Sequence, residues 1–209
     1  MLQKLQRGLE ELYRIDTDAC VSDFLIDADA RDALGVARAP REQLLVAEDH
    51  AGVSVGLFVD DAALSNLAVH DPRRRLDERN LGDFLLAIEG VSHFVYLMWR
   101  ARNDARVSAL ELEVQAEVDK YVTCLLCGDL GRDRSAALRR RLFDDVTFDE
   151  DLDGDERDRY RVANANAYHY SESLERRYVR SGRIAAMLEE LRRFYRLPLG
   201  GKLELSRAA

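Results

Sequence analysis

Leucines at positions 2, 5, 9 and 12 recur at helical spacing, and this stripe predicts an amphipathic helix over residues 2–14 with one narrow apolar edge. From Asp16 to Pro40 the chain is acidic and alanine-rich around one apolar knot, VSDFLI, and reads as a loop or short helix. Next, QLLVAED and VSVGLFVD flank a glycine-containing HAG turn, the pattern of a β-hairpin with strands at 43–49 and 53–59. DDAALSNLAVH then predicts a short helix, and Pro72 with Arg73, Arg74 and Arg75 a solvated connection.

Apolar density peaks after that connection. LGDFLLAIEGVSHFVYLMWRAR predicts a helix from 81 to 102, with Asn80 or its polar predecessors as the cap. Phe84, Ile88, Val91, Val95 and Trp99 share one face, while Glu89, His93, Tyr96 and Arg100 gather on the other. A helix apolar nearly all round is covered on both sides. After a short NDAR turn, a second helix runs from 107 to 127 with Leu110, Val114, Val118, Tyr121 and Leu125 as its stripe, stopping at Gly128. So short a turn makes the two antiparallel neighbours.

A third helix is expected over 133–143. Asp153 with Glu156 forms a capping box for a fourth helix, which carries Tyr160, Ala163, Ala167, Tyr170, Leu174 and Tyr178 on one face. Gly182 interrupts it, and Ile184, Met187, Leu188, Leu191 and Tyr195 define a last helix before Pro198. The tail, LGGKLELSRAA, reads as loop or short strand. The expected fold is mainly α: a helical bundle around the central antiparallel pair, with one β-hairpin. It forms a single domain over 1–209, comprising 1–79, the bundle 80–197 and the tail 198–209.

Composition narrows the classes. With 47% apolar and 33% charged residues in 209, the chain can offset its ordering entropy and fold. The first sixteen residues lack the apolar core of a secretory signal, and three cysteines at Cys20, Cys124 and Cys127 form no disulfide framework. The expectation is a cytoplasmic protein, with no membrane span. Its excess of arginine over lysine fits a GC-rich bacterial genome. The formal charge is −8, and the acidic excess is concentrated in residues 1–71.

Few residue patterns carry chemistry. Asp149, Asp151, Asp153 and Gly154 imitate the start of a calcium loop, but Tyr160 stands where the bidentate glutamate belongs, so the helix cap explains them better. Cys124 and Cys127 close a helix, have no second ligand pair, and read as small apolar residues. His50, His70 and His169 read as ordinary surface or helix histidines. Arginines cluster at 139–141, at 176, 177 and 180, and at 192, 193 and 196, a pattern that can track nucleic acid, although acidic neighbours at helical spacing pair with most of them. There is no P-loop, nucleophile elbow, dinucleotide fingerprint or His-Glu-x-x-His.

The one constellation with chemical potential is Glu89, His93, Glu113 and Glu117 on the two central helices. Oxygen ligands with one imidazole suit a transition metal, although the di-iron pattern Glu-x-x-His is replaced by Glu-x-x-x-His. The architectural alternative pairs Glu89 with His93 or Arg100, and Glu117 with Lys120. The leading expectation is therefore a non-catalytic protein acting through protein contacts, as an adaptor, accessory or regulatory subunit, self-association included. No cofactor is expected. A metal-dependent enzyme built on those four residues is the alternative, and a nucleic-acid-binding accessory protein the second alternative.

Overall fold

In the computed structural model, all residues are described except 36, 37, 39, 51, 128–134, 147–151 and 209. Asp149, Asp151 and Gly128, which the sequence singled out, lie outside the described residues. The fold is mainly α, 68% helical, with one two-stranded antiparallel sheet. Two compact units make it up, one of Met1–Glu11 with Ile15–Ala105, the other of Leu12–Arg14 with Arg106–Ala209.

The first unit holds most of α1 (Leu2–Tyr13), then α2 (Ala28–Ala33), β1 (Glu42–Asp49), β2 (Gly52–Val59), α3 (Asp61–Val69) and α4 (Leu81–Arg102). Leu2, Leu5 and Leu9 are buried as their spacing requires, but the next buried position is Tyr13 rather than Leu12. The acidic stretch forms a 3-10 turn over Val21–Phe24 and then α2, whose N-cap Asp27 accepts from the Ala30 amide.

The strands pair Glu42 with Val59 at the base and Asp49 with Gly52 at the turn. Alternation puts Glu42, Leu44, Val46 and Glu48 with Val53, Val55, Leu57 and Val59 on one face. The base packs on α4, and Ile26 donates from its amide to the Leu57 carbonyl at 3.0 Å, extending the edge of β2 by one bridge. Phe58, on the opposite face, lies under the Arg31 guanidinium at 4.2 Å, a cation–π contact that lets a buried arginine sit beside the sheet.

α4 has the predicted bounds and is the spine of this unit, with Phe84, Ala87 and Ile88 buried and every residue from Gly90 to Tyr96 buried. It alone among the described residues has the length and apolarity to cross a bilayer. Asn80 occupies the cap position, yet its side chain does not cap the helix. It staples the proline loop instead, donating to the His70 and Arg75 carbonyls at 2.9 and 2.7 Å and accepting from the Asp77 amide. Those three bonds satisfy loop backbone groups that would otherwise compete for water.

The second unit is a helical bundle of α5 (Ala109–Cys127), α6 (Ser135–Phe143), α7 (Gly154–Leu174), α8 (Ile184–Arg196) and α9 (Leu199–Arg207). α5 lies along α7, and α9 docks on α7 as well. The Asp153–Glu156 capping box is formed in both directions. Ala163, Ala167, Tyr170, Leu174 and Tyr178 are buried along one face of α7 and the turn after it, as their spacing requires. That turn, Glu175–Val179, is π-helical, and Gly182 follows with φ at +68°, a left-handed conformation that glycine adopts without cost.

The tail corrects the sequence reading: 199–207 is helix, not loop or strand. Pro198 stands at its N-cap, where its missing N–H costs nothing. Its inward face consists of Lys202 and Ser206, one turn apart and buried, so a search for apolar spacing passes over it.

Candidate functional site

The four sequence-predicted residues divide two and two between the units. Glu89 and His93 stand on α4, and Glu113 and Glu117 on α5. Glu113 is buried, whereas Glu117 is half-buried and accepts from Lys120 Nζ at 2.8 Å, the architectural pairing expected for it.

In the first unit the unforeseen participant is Glu42, the first residue of β1. Its Oε1 lies 3.6 Å from His93 Nδ1, and both side chains are only 8% exposed. Glu89, one turn before His93, presents a ligand atom within 4.8 Å of the imidazole nitrogen. Glu42 reaches the helix because residue 90 is glycine: a Cβ there would lie 2.9 Å from Glu42 Cγ, 3.1 Å from its Oε1 and 3.2 Å from Leu57 Cδ1. A glycine inside an apolar helix was the available signal, since it marks a close approach of another chain segment.

Gly90→Ala is accordingly expected to destabilise the first unit by about 1–3 kcal/mol through overpacking, partly offset by the better helix propensity of alanine. Urea titration checks the magnitude. Glu42→Ala removes the clashing Cγ, so the double variant is expected to be more stable than the sum of the two single losses; strict additivity would show that the two residues do not press on each other.

The second unit contains a separate buried network. Tyr13 donates from its hydroxyl to Asp119 Oδ1. Gln115, one turn before Asp119 on α5, donates to the same Oδ1 at 2.9 Å and to the Tyr13 hydroxyl at 3.2 Å. The Gln115 carbonyl oxygen accepts from Lys202 Nζ. Lys202 has no exposed surface, and its ammonium lies 4.8 Å from the centroid of Phe194 and 5.6 Å from that of Tyr195. Aromatic faces attract a cation electrostatically and compensate part of its lost hydration. The Tyr13 ring stacks on Tyr195 at 3.9 Å. Burial first, and then the Asp119 carboxylate, hold the Tyr13 phenol well above its ordinary pKa, so it remains a donor.

Around this network six of the nine arginines read as a nucleic-acid face are engaged within the unit. Arg192 donates to the Leu12 carbonyl at 2.9 Å and Arg196 to those of Tyr13 and Arg14 at 3.0 and 3.2 Å, capping the carbonyl end of α1. Arg177 and Arg193 pair with Glu190, and Arg180 with the buried Glu175. Arg139 is buried between Glu175 and Glu172, with its guanidinium 4.7 Å from the Tyr168 centroid.

The remaining candidates are unremarkable. Cys124 is buried, and burial pushes its thiol up to about 12, the opposite of an activated nucleophile. Cys127 is exposed rather than part of the core, which corrects half of the small-apolar reading. His50 and His169 are exposed and His70 half-buried.

Comparison with protein-family models, curated proteins and solved structures returns no match.

Proposed function

We propose that the protein is a non-catalytic adaptor, accessory or regulatory subunit that works through protein contacts made by the outer end of its hairpin. The observation that supports this is the course of one sheet face. At the base, Leu57 and Val59 are buried where the hairpin meets α4. The same face continues outward through Val46, Val55 and Val53, and there Val46 is 52% and Val53 63% exposed. An apolar face that outruns its covering helix gains free energy on being covered, at about 25 cal/mol per Å² removed from water.

β1 pairs only with β2 among the described residues, so its other edge offers backbone donors and acceptors to a further strand. Natural edges are usually blunted by charge or proline, and this one is not blunted at Val46. The occupant proposed is a second copy of the chain, whose own valines supply the complementary apolar surface.

Size exclusion with light scattering tests this. The wild-type protein is expected to be a dimer, and Val46→Asp with Val53→Asp to be a monomer of unchanged helicity. A strictly monomeric wild type, or a dimer indifferent to both substitutions, overturns the proposal.

A further inference from the structure

We propose that a cavity in the first unit binds an amphipathic carboxylate, a medium-chain fatty acid, with its hydrocarbon chain among leucines and its head at the N-terminus of α1. None of the hairpin valines lines this cavity, so the site and the proposed contact surface stand or fall separately.

The cavity measures about 400 Å³, within the ~300–1,000 Å³ of ordinary small-molecule sites. It lies between the first turn of α1, the 3-10 turn with the residue that ends it, and the end of α3 with the loop that follows. All of these belong to the first unit. Leu2 and Leu67 are buried in its wall, whereas Leu64 is half-buried and Leu25 is 40% exposed. A hydrocarbon chain laid against Leu25 and Leu64 removes apolar surface from water on both partners.

The polar part of the lining is what selects the head group. Its charged side chains are Lys4, Asp71 and Arg73. Arg73 Nε donates to Asp71 Oδ1 at 2.9 Å and the Arg73 amide to the same oxygen at 3.0 Å. The side-chain bond from Arg73 holds the Asp71 carboxyl down at about 2, so this acid is an anion whose charge is already met. Lys4 has no ion pair among the described residues. It stands in the first turn of α1, and that turn contains no acidic residue. The first amides of a helix have no partner within it and form its positive end. A cation at that end is disfavoured by the helix dipole, and a bound anion relieves the repulsion while accepting from the amides. An unpaired cation and open amides beside an apolar cavity together fit a ligand with an anionic head and a hydrocarbon tail. A cationic amphiphile would set like charge against Lys4.

The test uses the whole chain and sodium decanoate below its micellar concentration, titrated calorimetrically at low ionic strength. One equivalent is expected to bind, and from hexanoate through octanoate to decanoate the affinity is expected to rise about fourfold with each methylene. Lys4→Gln is expected to weaken decanoate binding roughly fivefold. Leu25→Asp, which sets a carboxylate in the cavity, is expected to weaken it roughly tenfold or more. Arg7→Gln, an exposed charge on the same helix but outside the lining, leaves it unchanged. Circular dichroism checks that the variants fold. Should Leu25→Asp fail to fold, Lys4→Gln at its exposed position and nuclear magnetic resonance of the wild type decide: decanoate-induced amide shifts confined to 1–4, 22–25 and 64–73 support the site, and shifts centred elsewhere overturn it. Decyltrimethylammonium is the counter-probe, and its binding as tightly as decanoate would reveal apolar adsorption without recognition of the anion, which overturns the proposal. So does the absence of saturable decanoate binding, or an affinity indifferent to Lys4→Gln.

Discussion

Replacing Lys202 with alanine is expected to destabilise the second unit by about 3–5 kcal/mol, the cost of removing one member of a buried charged pair and leaving the other behind. The ammonium is fully enclosed and reaches the Asp119 carboxylate through Gln115, which accepts from the one and donates to the other. Without it, Gln115 keeps an acceptor with no donor, and the carboxylate keeps its desolvation cost with less compensation. The cation over Phe194 and Tyr195 is lost as well.

Lys202→Met keeps the aliphatic stem and separates packing from charge. If charge dominates, Lys202→Met alone remains costly, while Lys202→Met with Asp119→Asn recovers a large part of the loss, because a neutral amide needs no counter-charge. Denaturant titration measures both, and hydrogen exchange in α9 reports whether that helix frays first. A Lys202→Met variant within about 0.5 kcal/mol of wild type, the range of an ordinary surface substitution, would show that α9 is held by packing alone.

This helix also shows where pattern reading stops. α4 and α8 were legible because their stripes are apolar, and the hairpin because two apolar runs flank a glycine turn. The capping box was legible as two residue types at fixed separation. α9 defied the method because its buried positions are a lysine and a serine: the core there is made of hydrogen bonds, which leave no hydrophobic period. Glu42 escaped as well. Glu42 stands one position before the strand expected from residue 43, and only Gly90, 48 positions further along the chain, hinted that something approaches α4. Tyr13 differs again, since Leu12 satisfies the leucine spacing while the helix turns the next residue inward. Of the four candidate ligands, the exchange of partners is instructive: Glu117 found the lysine three residues on, a local contact that sequence can propose, whereas His93 found a strand residue that only the fold supplies.

Raising the pH from 9 to 12 is expected to unfold the second unit cooperatively. Four of its groups lose protons more reluctantly in the native state than in the unfolded chain. Burial lifts the Cys124 thiol from 9.0 to about 12 and the Tyr121 phenol from 10.0 to about 12. Burial also holds Tyr13 and Tyr170 well above 10.0, with Asp119 and Glu190 respectively adding to it. A group whose native pKa is raised contributes stability that is complete below its unfolded value and is lost as pH climbs toward the native one. For Cys124 the window opens near pH 9, and for the three phenols near pH 10. Each unit of displacement is worth about 1.4 kcal/mol, so Cys124 and Tyr121 together withdraw on the order of 5–7 kcal/mol by pH 12. That equals or exceeds the lower part of the ~5–15 kcal/mol that holds an ordinary domain together. Tyrosinate absorbance followed alongside helical circular dichroism tests the coupling. The buried phenols are expected to ionise in one steep step that coincides with loss of helix, and Cys124→Ala to move that step toward higher pH relative to its own stability at neutral pH. Gradual ionisation of all tyrosines around pH 10 with the helices intact would show that these phenols are open to solvent and that their burial contributes nothing to the pH limit of the fold.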